Sequence, residues 1–568
     1  MERAPLRIFH DRKRLIIILL LVNIVFSIKA QSPKILPGEK LYNGIQLPVE
    51  WPPKIVRTAE RIPIKVPYLE SILQVIPIDV GRQLFVDDFL IEDTNLKRTF
   101  HVAKKFKGNP VLKPETQLEL NEGKNPVAAP FNDGVWYDPK DKLFKIWYHA
   151  GWFDGTGYAT STDGIHWERP ALDIEPGTNR ILANRNGYAR DGSTIWLDHE
   201  AKDPAARFKM FIYHRIPGGD VGELYQSSDG THWNSIGVTG KLGDNSGFFF
   251  NPFRNKWVFS IRTTNFGRAR AYHESSDFYE AGQWKNNEFA LWQGADTLDK
   301  PDKLIETYFK DYQSQLYNVD AVAYESIMLG LFAIHRGPNN NVASFGGFPK
   351  LTDLSLGYSR DGFYFDRPDR RAFIESTRKI GDWDRAYIHS AGGGCLVVGD
   401  SLYFYYGAWS GDSPKLISTI YAGGSTGLAK LRRDGFASMD GDEAGGYLVS
   451  RPVTFKGKYL FVNAESSKGE LRVEILDENN KVFKSFSKDN CIPIIGNKTI
   501  QEIKWKNKND LSALSNKKVR FKFYVENGSL YSFWVSPDKS GASYGYVAAG
   551  GPGLNGNRDD VGINGYPE

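Results

Sequence analysis

Four of five alternating apolar runs in this chain begin at a carboxylic acid. Asp133 stands before GVWYD, Asp191 before STIWLD and Asp244 before GFFFNP. Asp320 opens DAVAYES, which also holds Glu325, and the fifth run, SAGGGCLVV, follows His389. Acids brought together repel, so one stays protonated while its neighbour ionises. That pair is what cleavage of a glycosidic bond needs: a proton donor for the leaving oxygen, and a nucleophile or base on the other face. Arg190, Arg262, Arg268 and Arg270 lie beside the same runs, and guanidinium groups grip carboxylate or sulfate bidentately.

A second chemistry fits the same inventory. His389 or Tyr324 could take the proton α to a uronic acid carboxylate while an arginine neutralises it, as a lyase or dehydratase requires. A third reading, without catalysis, is a sugar-binding surface.

These residues matter only if the runs converge, and a repeat says how they do. ATSTDGIHWERP (159–170) is echoed by SSDGTHW (227–233), YSRDGFYFDRP (358–368) and LRRDGF (431–436), with a degenerate ESSDFYEAGQW at 274–284. Each copy follows period-2 runs broken by Asp-Pro, Asn-Pro or Gly-Asp, the signature of strand–turn–strand. Asp-Gly makes a tight turn because glycine accepts positive φ. Asp163, Asp229 and Asp361 are therefore turn residues, as is Asp138 in YDPKDK; Asp87 and Asp88 in a strand would face opposite ways. Five four-stranded units predict an all-β fold, a five-bladed β-propeller over 76–440; a single large β-sandwich is the competing arrangement. LFVDDFLIED (84–93) is the strand expected to close the ring, and 295–315 has helical spacing. In a propeller the innermost strands start at the axis. Asp133, Asp191, Asp244, Asp320, Glu325 and His389 would then line one funnel, with Arg190, Arg262 and Tyr324 beside the substrate.

Short alternating strands with Lys-Gly, Asn-Asn and Asn-Gly turns resume after MDGDEAGG and predict a β-sandwich over 446–537. An extended segment, 31–75, precedes the propeller, and the glycine-rich 538–568 reads as a strand with a loose tail.

A propeller followed by a sandwich carrying LRVEILDENNKVF and KKVRFKFYVENGSLYSFWV resembles glycoside hydrolase family 32 and its propeller relatives. That family carries a nucleophile in Asn-Asp-Pro, a transition-state stabiliser in Arg-Asp-Pro and an acid/base in Glu-Cys. The nearest matches are Asn132-Asp133-Gly134, Arg190-Asp191-Gly192 and Glu325-Ser326, with glycine for both prolines and serine for the cysteine. The resemblance implies a sugar-active propeller with Asp133 as nucleophile or base, Asp191 as stabiliser and Glu325 as proton donor, while the arginines beside the runs point to a complex anionic substrate, a uronic acid-containing or sulfated polysaccharide or its oligosaccharides.

The rest of the composition narrows the field. The formal charge of +5 favours neither nucleic acid nor a membrane surface. Only Cys395 and Cys491 carry thiols, too few for a disulfide scaffold. No HExxH, paired CxxC or Walker loop occurs, so neither a metal nor a cofactor is expected. Arg12 to Arg14, the apolar run Leu15 to Phe26 and Ala30 read as a signal peptide over 1–30. The mature protein would be secreted or periplasmic, with no membrane insertion after cleavage.

Overall fold

The computed structural model describes residues 38–566 except 72, 286–288, 346–347 and 416–419. The signal peptide read at 1–30 lies outside the described residues. No described helix is long and apolar enough to cross a membrane.

The chain is all-β at heart. Five antiparallel groups follow one another between residues 127 and 432. The first contains Val127–Asp138, Leu143–Ala150 and Gly155–Ser161. The second contains Ala189–Leu197, Phe208–Arg215, Val221–Ser227 and Asn234–Val238. Gly247–Asn251, Lys256–Thr264, Arg268–Ser275 and Ala290–Gly294 make the third. The fourth is built from Gln315–Glu325, Ile327–Gly337 and Leu351–Ser359. Tyr387–Ser390, Ser401–Trp409 and Gly424–Arg432 form the fifth. The first strands of the groups touch in cyclic order, and Asn132 bridges Ser193 on one side and Ala391 on the other.

The ring is closed by Lys104–Lys105, which pairs with Ala429 and Lys430 on the outer strand of the fifth group. This differs from the expectation that 84–93 closes it. Gln83–Leu84 pairs instead with Gly528–Ser536, and Ile91–Thr94 with Gly446–Ser450. Phe85, Phe89 and Leu90 bury their rings and methyls in the C-terminal core rather than between groups. The helical spacing at 295–315 yields one helix, Lys303–Tyr308.

The Asp-Gly repeat joins neighbouring groups. In its first copy Asp163 Oδ1 accepts from the backbone N–H of Ile165 and His166, both 2.8 Å, while Ser161 Oγ accepts from Gly164 N–H at 2.8 Å. Asp229 and Asp361 repeat the pattern. Gly164, Gly230 and Gly362 hold φ of 73°, 86° and 82°, which only glycine adopts cheaply. Turning the chain so sharply exposes a carbonyl to the preceding group. Tyr405 donates to Gly164 O at 2.5 Å, Trp147 to Gly230 O at 2.7 Å and Trp292 to Phe363 O at 2.7 Å. The other two copies diverge: Asp277 caps the helix Phe278–Ala281, and Asp434 enters a buried ion cluster.

Two further sheets enclose a second core around Phe85, Phe521, Phe523 and Phe533. They combine strands from 446–536 with Ala437–Gly441 and the N-terminal Gln83–Leu84, Ile91–Thr94 and Lys97–Phe100. The segment after 537 is not loose. Tyr546–Val547 pairs with Tyr324 and Glu325, Tyr137 N–H donates to Ala549 O at 3.0 Å, and Val547 and Ala549 are fully buried. Its glycines permit this close approach: a Cβ on Gly551 would sit 1.7 Å from Val397 O. The segment caps the end of the ring where the inner strands finish.

Candidate active site

The opposite end, where the inner strands begin, gathers the charged side chains. In antiparallel hairpins the start of a first strand lies beside the end of the second and the start of the third. The funnel is therefore walled by residues from all three positions.

Asp133 is fully buried inside it. Its Oδ2 accepts from Phe131 N–H at 2.7 Å, and Oδ1 takes Ser193 Oγ at 2.5 Å and the Arg190 guanidinium. Burial pushes its carboxyl up to about 6, although Arg190, the amide and the serine pull the other way. With both oxygens spoken for, Asp133 holds the irregular stretch of its own strand around Phe131 and keeps no oxygen free. Arg190, expected beside the substrate, is spent on Asp133.

Asp191 is held by a residue the sequence reading missed. Arg215, closing the strand Phe208–Arg215, donates Nε to Asp191 Oδ2 at 2.7 Å and Nη2 to Asp244 Oδ2 at 2.9 Å. Arg262 Nε lies 3.1 Å from the other oxygen of Asp244. Burial raises Asp191 to about 6; Arg215 lowers it in part and the Asp244 charge adds to the rise. Asp244 is about a third exposed.

Asp320 and His389 sit deeper. Ser390 donates to Asp320, whose carboxyl burial holds above the usual range. Fully buried Arg270 spends Nη1 on Asn245 O at 2.7 Å, while its Nε and Nη2 find no partner among the described residues. His389 is fully buried; desolvation depresses it to about 3, so it stays neutral.

An aromatic wall faces the acids. Trp152 and Tyr421 stack 4.2 Å apart at 6°, Phe153 continues the stack at 4.8 Å, and the Arg215 guanidinium lies 5.5 Å from the Phe153 ring. Beside it Lys350 donates to Tyr317 Oη at 2.7 Å and Tyr421 Oη at 2.8 Å. Six cations, Arg190, Arg215, Arg262, Arg268, Arg270 and Lys350, thus surround four acids, Asp133, Asp191, Asp244 and Asp320.

Glu325 and Tyr324 are not there. They end the strand that Asp320 runs through, five residues further at about 3.3 Å each, on the face capped by the C-terminal segment. Glu325 lies 3.3 Å from both Arg82 and Arg433, in a buried cluster with Asp434 and Asp559, and Tyr324 donates to Asp434 at 2.6 Å. Both belong to the joint between the ring and the second core. Glu325 closes its strand at the end of the ring away from Asp191 and Asp244.

Arg215, Lys350, Tyr317, Tyr421, Trp152 and Phe153 carried a readable signal. FKMFIYHR ends a second strand, and Lys350 immediately precedes a third. The hairpin rule sends both toward the acids.

No protein-family model matches the chain, and no curated protein is detectably similar in sequence. Among solved structures, a glycosyl hydrolase from Bacteroides ovatus aligns at 13% identity over 62% of this chain and 97% of its own, TM-score 0.39. A β-1,2-mannobiose phosphorylase from Listeria innocua aligns at 12% over 58% and 96%, TM-score 0.38. A fructofuranosidase from Schwanniomyces occidentalis aligns at 12% over 76% and 97%, TM-score 0.35. At such distances, what the funnel does must be decided by its own side chains.

Proposed function

We propose that the five groups are the blades of a β-propeller, that the second core is an accessory β-sandwich, and that the funnel is the active site of an exported glycosidase acting on an anionic polysaccharide or its oligosaccharides. The observation that carries this is the pair Asp191 and Asp244 sharing Arg215 beneath an aromatic wall. Asp191, raised to about 6, is the proton donor; the more exposed Asp244 is its ionised partner. Both carboxylates reach one nitrogen of Arg215, at 2.6 and 2.9 Å, close enough for a proton donor and a nucleophile or base to act on one glycosidic bond. Phe153, at the end of the stack on Trp152, offers a sugar-stacking face, and the surplus of cations, above all Arg270 with its unpartnered N–H groups, favours a carboxylated or sulfated sugar.

This replaces the roles implied by resemblance: Asp244 stands where Asp133 was expected, and Asp191 takes the donor role given to Glu325. The test is reducing-end release from acidic and neutral polysaccharides at two ionic strengths. Turnover confined to acidic glycans and weakened by salt supports the reading; turnover best on neutral glucans and indifferent to salt refutes it.

A further inference from the structure

Lys350 is a buried lysine whose nearest companions are phenols. Its ammonium bonds Tyr317 and Tyr421 and lies 4.4, 4.4 and 4.5 Å from the ring centres of Tyr317, Tyr387 and Tyr421. Arg268 covers the Tyr317 ring at 5.1 Å, and His335 meets it edge-on at 5.5 Å. Tyr312 and Tyr387 also face it, and Asp244 is near enough for its charge to act on Tyr317, Lys350 and Tyr421. No carboxylate pairs with Lys350 among the hydrogen bonds and ion pairs described.

We propose that Tyr317, gripped by Lys350 and Arg268, is a catalytic base, and that it gives the funnel a second activity: elimination across C4–C5 of a 4-linked uronic acid residue. The inference rests on the reading that an anionic sugar occupies the funnel.

A lone ammonium buried among phenols is costly unless one of them carries the balancing charge. Burial alone would raise the Tyr317 phenol, but the charges of Lys350 and Arg268 and the Lys350 hydrogen bond bring it below its ordinary value. Burial also pulls the Lys350 ammonium down, and the two groups compete for a proton across their 2.7 Å hydrogen bond. Arg268 tips the balance, because a guanidinium keeps its charge and thereby favours phenolate. Desolvation and these same cations hold His335 well down, leaving it neutral.

The step balances without a co-reactant. The Tyr317 oxygen takes the C5 proton, the C–H electron pair becomes the C4=C5 double bond, and the C4–O4 bond breaks. Asp191 delivers its proton to the departing O4. Arg262 and Arg270 neutralise the carboxylate whose charge builds as C5 loses its proton. Water then returns the proton from Tyr317 to Asp191.

Two measurements test this. The first titrates phenolate absorption in the intact protein: one phenol should ionise well below the others, disappear from the titration in Tyr317→Phe and move up in Lys350→Met. The second follows polygalacturonate and alginate for the ultraviolet absorbance of a conjugated double bond. It should rise with wild type, fall at least about 100-fold in Tyr317→Phe and survive in part in Lys350→Arg, with thermal unfolding confirming that each variant is folded. An early-ionising phenol that persists in Tyr317→Phe overturns the proposal, as does an ultraviolet signal unchanged by that substitution. Reducing ends without ultraviolet absorbance overturn elimination while leaving the hydrolytic reading intact.

Discussion

Asp191 and Asp244 lean on the same nitrogen of Arg215, at 2.6 and 2.9 Å. Two acids so close cannot be treated separately: the ionised one makes its buried partner reluctant to lose a proton.

Activity should fall as pH rises through about 6, because the donor form of Asp191 is lost there. Asp191→Asn should cost about 10²- to 10⁴-fold in kcat with the fold intact. A pH–rate profile of kcat/KM for wild type, with kcat of the variant at its optimum, checks both.

Arg215 lowers the carboxyl of Asp191, so its removal should act on pH dependence as well as on rate. Arg215→Gln should move the basic limb of the profile to higher pH while lowering turnover. An unmoved limb would mean that Arg215 merely packs against Phe153.

In the joint cluster three acids, Glu325, Asp434 and Asp559, share Arg82 and Arg433. Burial raises Glu325, whereas the two arginines bring Asp434 down to about 2 despite its burial. Glu325→Gln should leave turnover unchanged and cost less than loss of an arginine, because the amide keeps the shape and its oxygen can still accept from the Arg82 N–H and Ser543. Arg433→Met strands buried carboxylates and should cost about 3–5 kcal/mol. Denaturant unfolding of both variants measures the contrast.

One repeat predicts opposite pH behaviour in two of its copies. Asp361 is buried and raised to about 6; its stabilisation is present below the unfolded value near 3.9 and lost as pH rises through about 6. Desolvation raises the carboxyl of half-exposed Asp163, but the His166 amide and ring, the Ile165 amide and Ser161 together lower it well below the usual range. Its stabilisation is present above that unfolded value and lost as pH falls below it. At neutral pH Asp361→Asn should gain stability, by at most about 3 kcal/mol, and Asp163→Asn should lose it. Unfolding curves at pH 4 and 7 decide.

Much of this was legible because hairpins announce themselves. Asp-Gly turns flanked by alternating aromatics marked three of the hairpin groups, and Asp191 and Asp244, far apart in sequence, reach one arginine. What escaped depends on direction and distance in the chain. Glu325 shares a strand with Asp320 yet lies on the other face of the ring, since a strand in a closed ring has two ends in different environments. Arg215 and Lys350 come from second and third strands, where attention to first strands alone cannot reach. The pairing of 83–100 with strands beyond residue 436 joins segments far apart in sequence, and alternation carries no partner information.

The central claim is that Asp191 and Asp244 cleave an anionic glycan in the funnel. Its most direct test is reducing-end release from a uronic acid-rich polysaccharide by wild type, Asp191→Asn and Asp244→Asn, side by side at pH 5. Release by wild type and none by either folded variant is the expected result. Full release by both variants would contradict it.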